Sequence, residues 1–236
     1  MPEPSGRRAL PSPTTGKQAT SLEGDRLCAQ RGHATLFAEV SFAVRDGSAL
    51  VVTGRNGSGK TTLLRMLAGL TAPAAGEIRW RRSVARPFDV RLRAAVAFNG
   101  HLPALKDELT AEENLAEWIS LGDRPPAPVA IRDALAAVAL ERSRALPVRL
   151  LSQGQRRRIG LARLRLSRRP LWILDEPLTA LDGEGIDVLR GLLDTHLEGG
   201  GVCVAASHQP LPIAPERQQS LRLEADASAF AGSAMQ

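Results

Sequence analysis

Gly54-Arg55-Asn56-Gly57-Ser58-Gly59-Lys60-Thr61-Thr62 is the stretch on which the fold of this chain turns. It follows the apolar run Ala49-Leu50-Val51-Val52-Thr53 and leads straight into Thr61-Thr62-Leu63-Leu64-Arg65-Met66-Leu67-Ala68, which reads as a helix ending near Gly69. A strand covered on both faces is apolar without alternation, so the order is buried strand, glycine-rich loop, helix N-terminus. The glycines let successive amide N–H groups face one point and form an anion nest. The helix adds the positive end of its dipole. The whole stretch, Gly54 to Thr62, is therefore expected to grip the phosphates of a nucleotide. Lys60 supplies a point charge for the β- and γ-phosphates, which also makes it a candidate catalytic group, and the Thr61 hydroxyl is a candidate ligand for Mg2+.

Leu171-Trp172-Ile173-Leu174-Asp175-Glu176 repeats the theme with opposite charge: an apolar strand delivers two adjacent carboxylates. Asp175 at the strand end is placed to hold Mg2+ through its water shell. Glu176 beside it is placed to polarise an attacking water. Upstream, Ser152 can cap a helix running toward Ser167, and Pro170 stops its continuation.

Outward from these motifs, Arg26 to Ala29, Val40 to Val44 and Ala49 to Thr53 read as strands, with a turn at Asp46-Gly47. Helical periodicity covers Glu112 to Leu121 and Val129 to Glu141, separated by Pro125-Pro126-Ala127-Pro128. Val202 to Ala206 is another short strand, and Ile186, Leu189, Leu192, Leu193 and Leu197 form the apolar stripe of a helix before it. Strands alternating with helices imply an α/β fold with a mainly parallel sheet. The expected layout is a disordered leader over residues 1–24, one domain over 25–223 with a helical insert at about 102–150, and a flexible tail over 224–236.

With 236 residues and 43% apolar content, the chain suits one domain with a sizeable core. It holds no run of apolar residues long enough to span a bilayer and no secretory signal. The net charge is +6, carried almost wholly by arginine, since Lys17, Lys60 and Lys106 are the only lysines. A basic balance suits nucleic acid, an anionic surface or phosphorylated ligands. The absence of tyrosine and the 3% aromatic content argue against base-stacking platforms, so no nucleic-acid partner is expected. Cys28 and Cys203 match no metal spacing and read as reduced core residues.

Leu151-Ser152-Gln153-Gly154-Gln155 resembles the LSGGQ signature of ABC ATPases, with Gln153 in place of the first glycine. The resemblance spans about residues 26–223. It implies a P-loop NTPase fold of the ABC ATPase type, with a mainly parallel sheet, an antiparallel N-terminal β portion and an inserted helical subdomain. It also implies ATP and Mg2+ as ligands, and two subunits joined head-to-tail so that each signature closes on the partner's nucleotide. Ser152, Gly154 and Gln155 are then nucleotide-binding residues acting across the dimer. Asp182, in Ala180-Leu181-Asp182, matches the loop that links the two sites. His208 resembles the switch histidine that contacts the γ-phosphate. At the start of the helical insert, where the family has a glutamine that senses Mg2+ and water, this chain has His101. Where the family stacks adenine on an aromatic residue, the chain has Arg31, with Phe37 nearby as an alternative.

Leu171 to Asp182, Ser207-His208-Gln209-Pro210-Leu211 and Asn99-Gly100-His101 are similar to the ATP-binding subunit of the haem exporter of cytochrome c biogenesis. That likeness implies integral membrane subunits as partners and a peripheral place on the cytoplasmic side of the inner membrane. It implies ATP hydrolysis coupled to haem export or to release of haem-loaded chaperone, and a homodimer of ATPase subunits. The alternatives are the ATPase of another small-substrate ABC transporter, a soluble non-transport ABC ATPase, and a P-loop kinase of small metabolites. The face near residues 100–125 is the expected docking surface for a membrane partner.

Overall fold

The computed structural model describes residues 20–32, 34–101, 104–120 and 128–224. Five parallel strands form its central sheet, in the order β6(Val96–Asn99), β7(Leu171–Asp175), β8(Val202–Ala206), β3(Ala49–Gly54), β9(Gln218–Leu223). A second, antiparallel sheet has the order β2(Ala34–Arg45), β1(Thr20–Arg31), β4(Ala75–Trp80), β5(Ser83–Val84). The helices are α1(Lys60–Leu67), α2(Val90–Ala95), α3(Ala111–Ser120), α4(Pro128–Ala136), α5(Gln153–Ser167) and α6(Gly183–Glu198).

The parallel sheet divides the core in two, and the strand period of two assigns each residue its side. Leu171 and Ile173 face α1 and the antiparallel sheet, together with Leu50, Val52, Val202 and Val204. Trp172 and Leu174 face α3 to α6, together with Ala49, Val51, Cys203 and Ala205. Because both faces are covered, every residue of β7 and β8 is buried. This explains why their sequences show no polar alternation. Polar side chains are admitted only where the strands end, and Asp175 stands at such an end. Burial without a charged neighbour pushes the Cys203 thiol up to about 12, so it is an inert core residue.

Several boundaries differ from the sequence expectation, β2 among them, which starts at Ala34 and not at Val40; two of the differences have a local physical cause. The disordered leader was expected to reach residue 24, but β1 starts at Thr20 and pairs on both sides, with Leu22 opposite Val44 on β2 and Trp80 on β4. Register shifts between Gly24 and Leu27 break the alternation that would have revealed this strand. The remainder of the leader, residues 1–19, and the tail from residue 225 lie outside the described residues, as do residues 125–127 of the proline-rich separator.

The second boundary is the end of α4, expected near Glu141 and found at Ala136. Ala139 adopts a left-handed conformation (φ 55), and the Leu140 N–H returns to the Leu135 carbonyl at 2.9 Å, which closes the helix. Val138 and Leu140 are buried beyond that closure. Their apolar character therefore prolonged the helical pattern past the helix itself.

Leu22 is fully buried. Leu22→Ala is expected to cost about 2–5 kcal/mol of stability by urea denaturation, the range for truncating a core leucine. An unchanged midpoint would return residues 20–24 to the leader.

Candidate nucleotide and phosphate site

β3 ends at Gly54 and α1 begins at Lys60, so the loop between them crosses the carboxyl end of the parallel sheet, where open α/β sheets bind ligands. Its curvature uses positive φ at Gly54, Gly57 and Gly59, and at two of these a side chain would also collide. Gly54 has φ 148, and a Cβ there would stand 2.6 Å from both the Leu223 carbonyl and Ser58 Oγ. Gly59 caps α1 with φ 92, and a Cβ there would stand 2.8 Å from the Phe37 ring. The Lys60 ammonium lies along the loop, donating to the carbonyls of Gly54 at 2.8 Å and Arg55 at 3.3 Å.

Thr61, in the first turn of α1, donates its hydroxyl to Asp175 Oδ2 at 3.0 Å, joining residues 114 apart in sequence. Asp175 is 5% exposed. A hydroxyl and a carboxylate oxygen so close are hard donors of the kind Mg2+ takes when it arrives with a nucleotide, its remaining positions being filled by phosphate and water.

One cavity of about 360 Å3 collects Asn56, Gly57, Gly59, Lys60, Thr61 and Thr62 of the loop with Asp175, Glu176 and His101. Arg31 and Leu36 form its remaining wall. Arg31 thus lines the same cavity as the phosphate loop. Phe37, the other candidate, is corrected: it is 1% exposed and its ring sits beneath Gly59, where it shapes the loop instead of meeting solvent. The alternation of β2 put Phe37 inside. Leu36, which lines the cavity, carried no signal that sequence reasoning could use.

Glu176 holds a left-handed backbone (φ 50), a strained conformation for a non-glycine residue. Its N–H donates to the Ala206 carbonyl at 2.9 Å. His208 does not line the 360 Å3 cavity. It belongs to a neighbouring one of about 550 Å3 with Gly54 and Arg55, and its Nε2 lies 3.4 Å from Glu176 Oε1. Histidine and carboxylate are therefore close enough to act together.

Ser152, Gly154 and Gln155 are not among the residues lining the cavity of the phosphate loop. Ser152 caps α5 through a reciprocal pair: its Oγ accepts from the Gln155 N–H at 3.1 Å, and Gln155 Oε1 accepts from the Ser152 N–H at 2.9 Å. Ser152 itself is exposed. Asp182 caps α6, accepting from the Gly185 N–H at 2.9 Å and from Arg158 at 2.6 Å. Those bonds, the backbone one foremost, lower its pKa. Arg158, nearly buried, pairs also with Glu184 at 2.7 Å, and against the cost of burial these two carboxylates raise its pKa.

At the opposite edge of the sheet, a separate cleft of about 510 Å3 lies between the start of β7 and the C-terminal ends of α5 and α6. Trp172 and His196 stack there with ring centroids 3.9 Å apart, and burial lowers the His196 pKa. None of its lining residues belongs to the phosphate loop.

Three comparisons bear on this geometry. The family described as ABC transporter matches residues 37–179. The cytochrome c biogenesis ATP-binding export protein CcmA of Nitrosospira multiformis is 46% identical over 203 residues, covering 86% of this chain and 98% of that protein. Its counterpart in Vibrio cholerae is 42% identical over 202 residues, covering 86% and 98%. Among solved structures, a putative ABC transporter ATP-binding protein from Pyrococcus furiosus has a TM-score of 0.74 at 23% identity, covering 86% of this chain and 98% of that one. A dimeric ATP-binding cassette in a post-hydrolysis state, bound to ADP and Pi, has a TM-score of 0.68 at 23% identity, covering 80% and 88%. The two structural likenesses carry the fold.

The contact between Gly59 and Phe37 makes the loop sensitive to a single methyl group. Gly59→Ala must strain the backbone or displace the ring, at a cost of about 1–3 kcal/mol. An affinity for a fluorescent ATP analogue lowered by ~10-fold or more is the expected result. Undiminished affinity would mean that the loop takes its shape without that glycine.

Proposed function

The chain belongs to the ABC transporter family and, within it, to the cytochrome c biogenesis ATP-binding export proteins, and from that premise we propose that its ATP hydrolysis drives haem export or the release of a haem-loaded chaperone. The chain binds and hydrolyses ATP as a member of that family. No helix among the described residues is long and apolar enough to cross a membrane. In this reading the protein sits on the cytoplasmic side of the inner membrane and is held there by integral membrane subunits.

The observation that carries the mechanism is a division within the chain. Most of the phosphate loop shares one cavity with Asp175, Glu176 and His101, whereas the exposed cap Ser152 and its neighbours Gly154 and Gln155 lie outside it. A second copy, placed head-to-tail, supplies the missing helix N-terminus to the nucleotide. Gly54 to Thr62 cradle the phosphates, and Lys60 neutralises charge that develops at the γ-phosphate. Thr61 and Asp175 would hold Mg2+, whose charge helps neutralise the β- and γ-oxygens. Glu176 accepts the proton of the attacking water. His208 orients that carboxylate and meets the γ-phosphate, His101 orients the water, and Asp182 anchors the loop that faces the partner subunit.

Glu176→Gln is expected to bind ATP, to hydrolyse it ~10²–10⁴-fold more slowly, and to accumulate as an ATP-bound dimer by size-exclusion chromatography with light scattering. Turnover at the normal rate would remove Glu176 from the role of base. Slow turnover without a dimer would remove the head-to-tail arrangement. The docking face is proposed to include α3 and the adjoining residues 104–110; residues 102–103 and 121–125 of the expected surface lie outside the described residues. Crosslinks from this face to a membrane subunit are expected, and crosslinks confined to the opposite face would overturn the assignment.

A further inference from the structure

Arg157 lies on α5, little more than one turn from the cap Ser152, and is 7% exposed. No carboxylate pairs with it among the described residues; its guanidinium is surrounded by backbone oxygens instead. Nη1 donates to the carbonyls of Gly100 at 3.2 Å and His101 at 2.5 Å, Nη2 to that of Glu176 at 3.0 Å, and Nε to that of Thr179 at 3.3 Å. Burial lowers its pKa, and the negative charges of Asp175 and Glu176 act against that lowering. The group therefore gives up hydration for four peptide dipoles and two carboxylates at a distance. This is a costly arrangement unless the geometry it holds has a use.

The four carbonyls come from two segments, one following β6 and one following β7, and Arg157 joins them beyond the last strand pairing, Asn99 with Leu174. Gly100 and His101 follow β6 and bring the imidazole to the cavity. Glu176 has the strained backbone noted above. Thr179 starts the loop leading to Asp182, where Ala180 again has a positive φ of 61. A strained backbone persists only where its surroundings over-determine it. At Glu176 three hydrogen bonds do so: the N–H donates to Ala206 on one side of the residue, and the carbonyl on the other accepts from the Thr179 N–H at 3.2 Å and from Arg157 at 3.0 Å.

We propose that Arg157 is a positioning residue for hydrolysis, which fixes the backbone of Glu176 and His101 from the helix whose N-terminus meets the nucleotide held by the partner subunit. The inference rests on the reading of Glu176 as the base and deepens it. Since Ser152 and Arg157 ride on one rigid helix, a displacement of α5 as the signature seats on the partner's nucleotide is passed to the carbonyl of this chain's own Glu176. Turnover in each site is thereby made dependent on closure at the other. A lysine cannot replace this arginine, because one ammonium group cannot reach carbonyls spread around a planar fork.

The test uses the full chain with Mg2+ and ATP, comparing Arg157→Lys and Arg157→Gln in the native and Glu176→Gln backgrounds. A positioning role predicts affinity for a fluorescent ATP analogue within ~3-fold of the native value while kcat falls ~10–100-fold, the scale for a small misplacement of a reacting group. In the Glu176→Gln background the same substitutions are expected to lower the residual rate much less, by no more than ~3-fold, because the base through which Arg157 chiefly acts is gone and only the positioning of His101 remains. Three results overturn the proposal: kcat within ~2-fold of native, a full fall repeated in the Glu176→Gln background, or nucleotide binding lost in parallel with turnover, which marks a purely structural residue. The lysine variant keeps charge and length, so its outcome decides the matter if the glutamine variant fails to fold. Normal turnover by Glu176→Gln alone would defeat the assignment of the base, whereas slow turnover there with unaffected arginine variants defeats only the positioning role.

Discussion

The hydrogen bond from the Thr61 hydroxyl to Asp175 at 3.0 Å ties the first turn of α1 to the end of β7. Both groups belong at the carboxyl edge of a sheet whose interior admits no polar side chain, since every residue of β7 and β8 is buried. β8 lies between β3 and β7, so the contact requires all three strands in parallel register, with Val52 opposite Ala206 and Asp175 opposite Ala206 on its other side. Once that register is set, the phosphate loop and the carboxylates have no other place to meet. The same constraint explains why Lys60 and Glu176 face one cavity although they arise from different strand–helix junctions.

A second constraint concerns arginine. Arg157 and Arg158 are adjacent on α5 and both are nearly buried, yet they are satisfied in opposite ways. Arg158 meets the carboxylates of Asp182 and Glu184, fixing the start of α6. Arg157 meets only carbonyls, fixing the backbone around the site. In water, surface ion pairs contribute little. Here one guanidinium is enclosed by protein, and removing it would take a donor from each of four carbonyls. Much of the arginine that gives the chain its basic charge is exposed, but these two residues are structural parts of the helix that carries the signature.

The strand, loop and helix around Gly54 to Thr62 were legible because each physical requirement leaves a mark in local sequence: an uninterrupted apolar run, glycines at left-handed positions, a cation and hydroxyl at a helix start. Asp175 and Glu176 were legible for the same reason, as was Ser152, whose reciprocal cap with Gln155 is a local motif. The start of β1 was not, because a bulged edge of the pattern hides Leu22. The end of α4 was not, because buried Val138 and Leu140 continue an apolar rhythm after the helix has closed. Phe37 looked like a platform for a base until β2 turned it inward beneath Gly59.

By itself, then, the sequence singled out the candidates for binding phosphate, holding a divalent cation and activating water, since those properties belong to residue types in short, regular arrangements. Tertiary structure decided which of them share a cavity. It placed Leu36 and Arg31 on the wall and Phe37 in the core, set His208 beside Glu176 and kept Ser152 outside. It also turned Arg157 from one basic residue among many into a link between the segments that follow β6 and β7, because hydrogen bonds to backbone carbonyls distant in sequence leave no trace in residue identity. Only the packing of α5 across the strand ends brings those carbonyls within reach of one guanidinium.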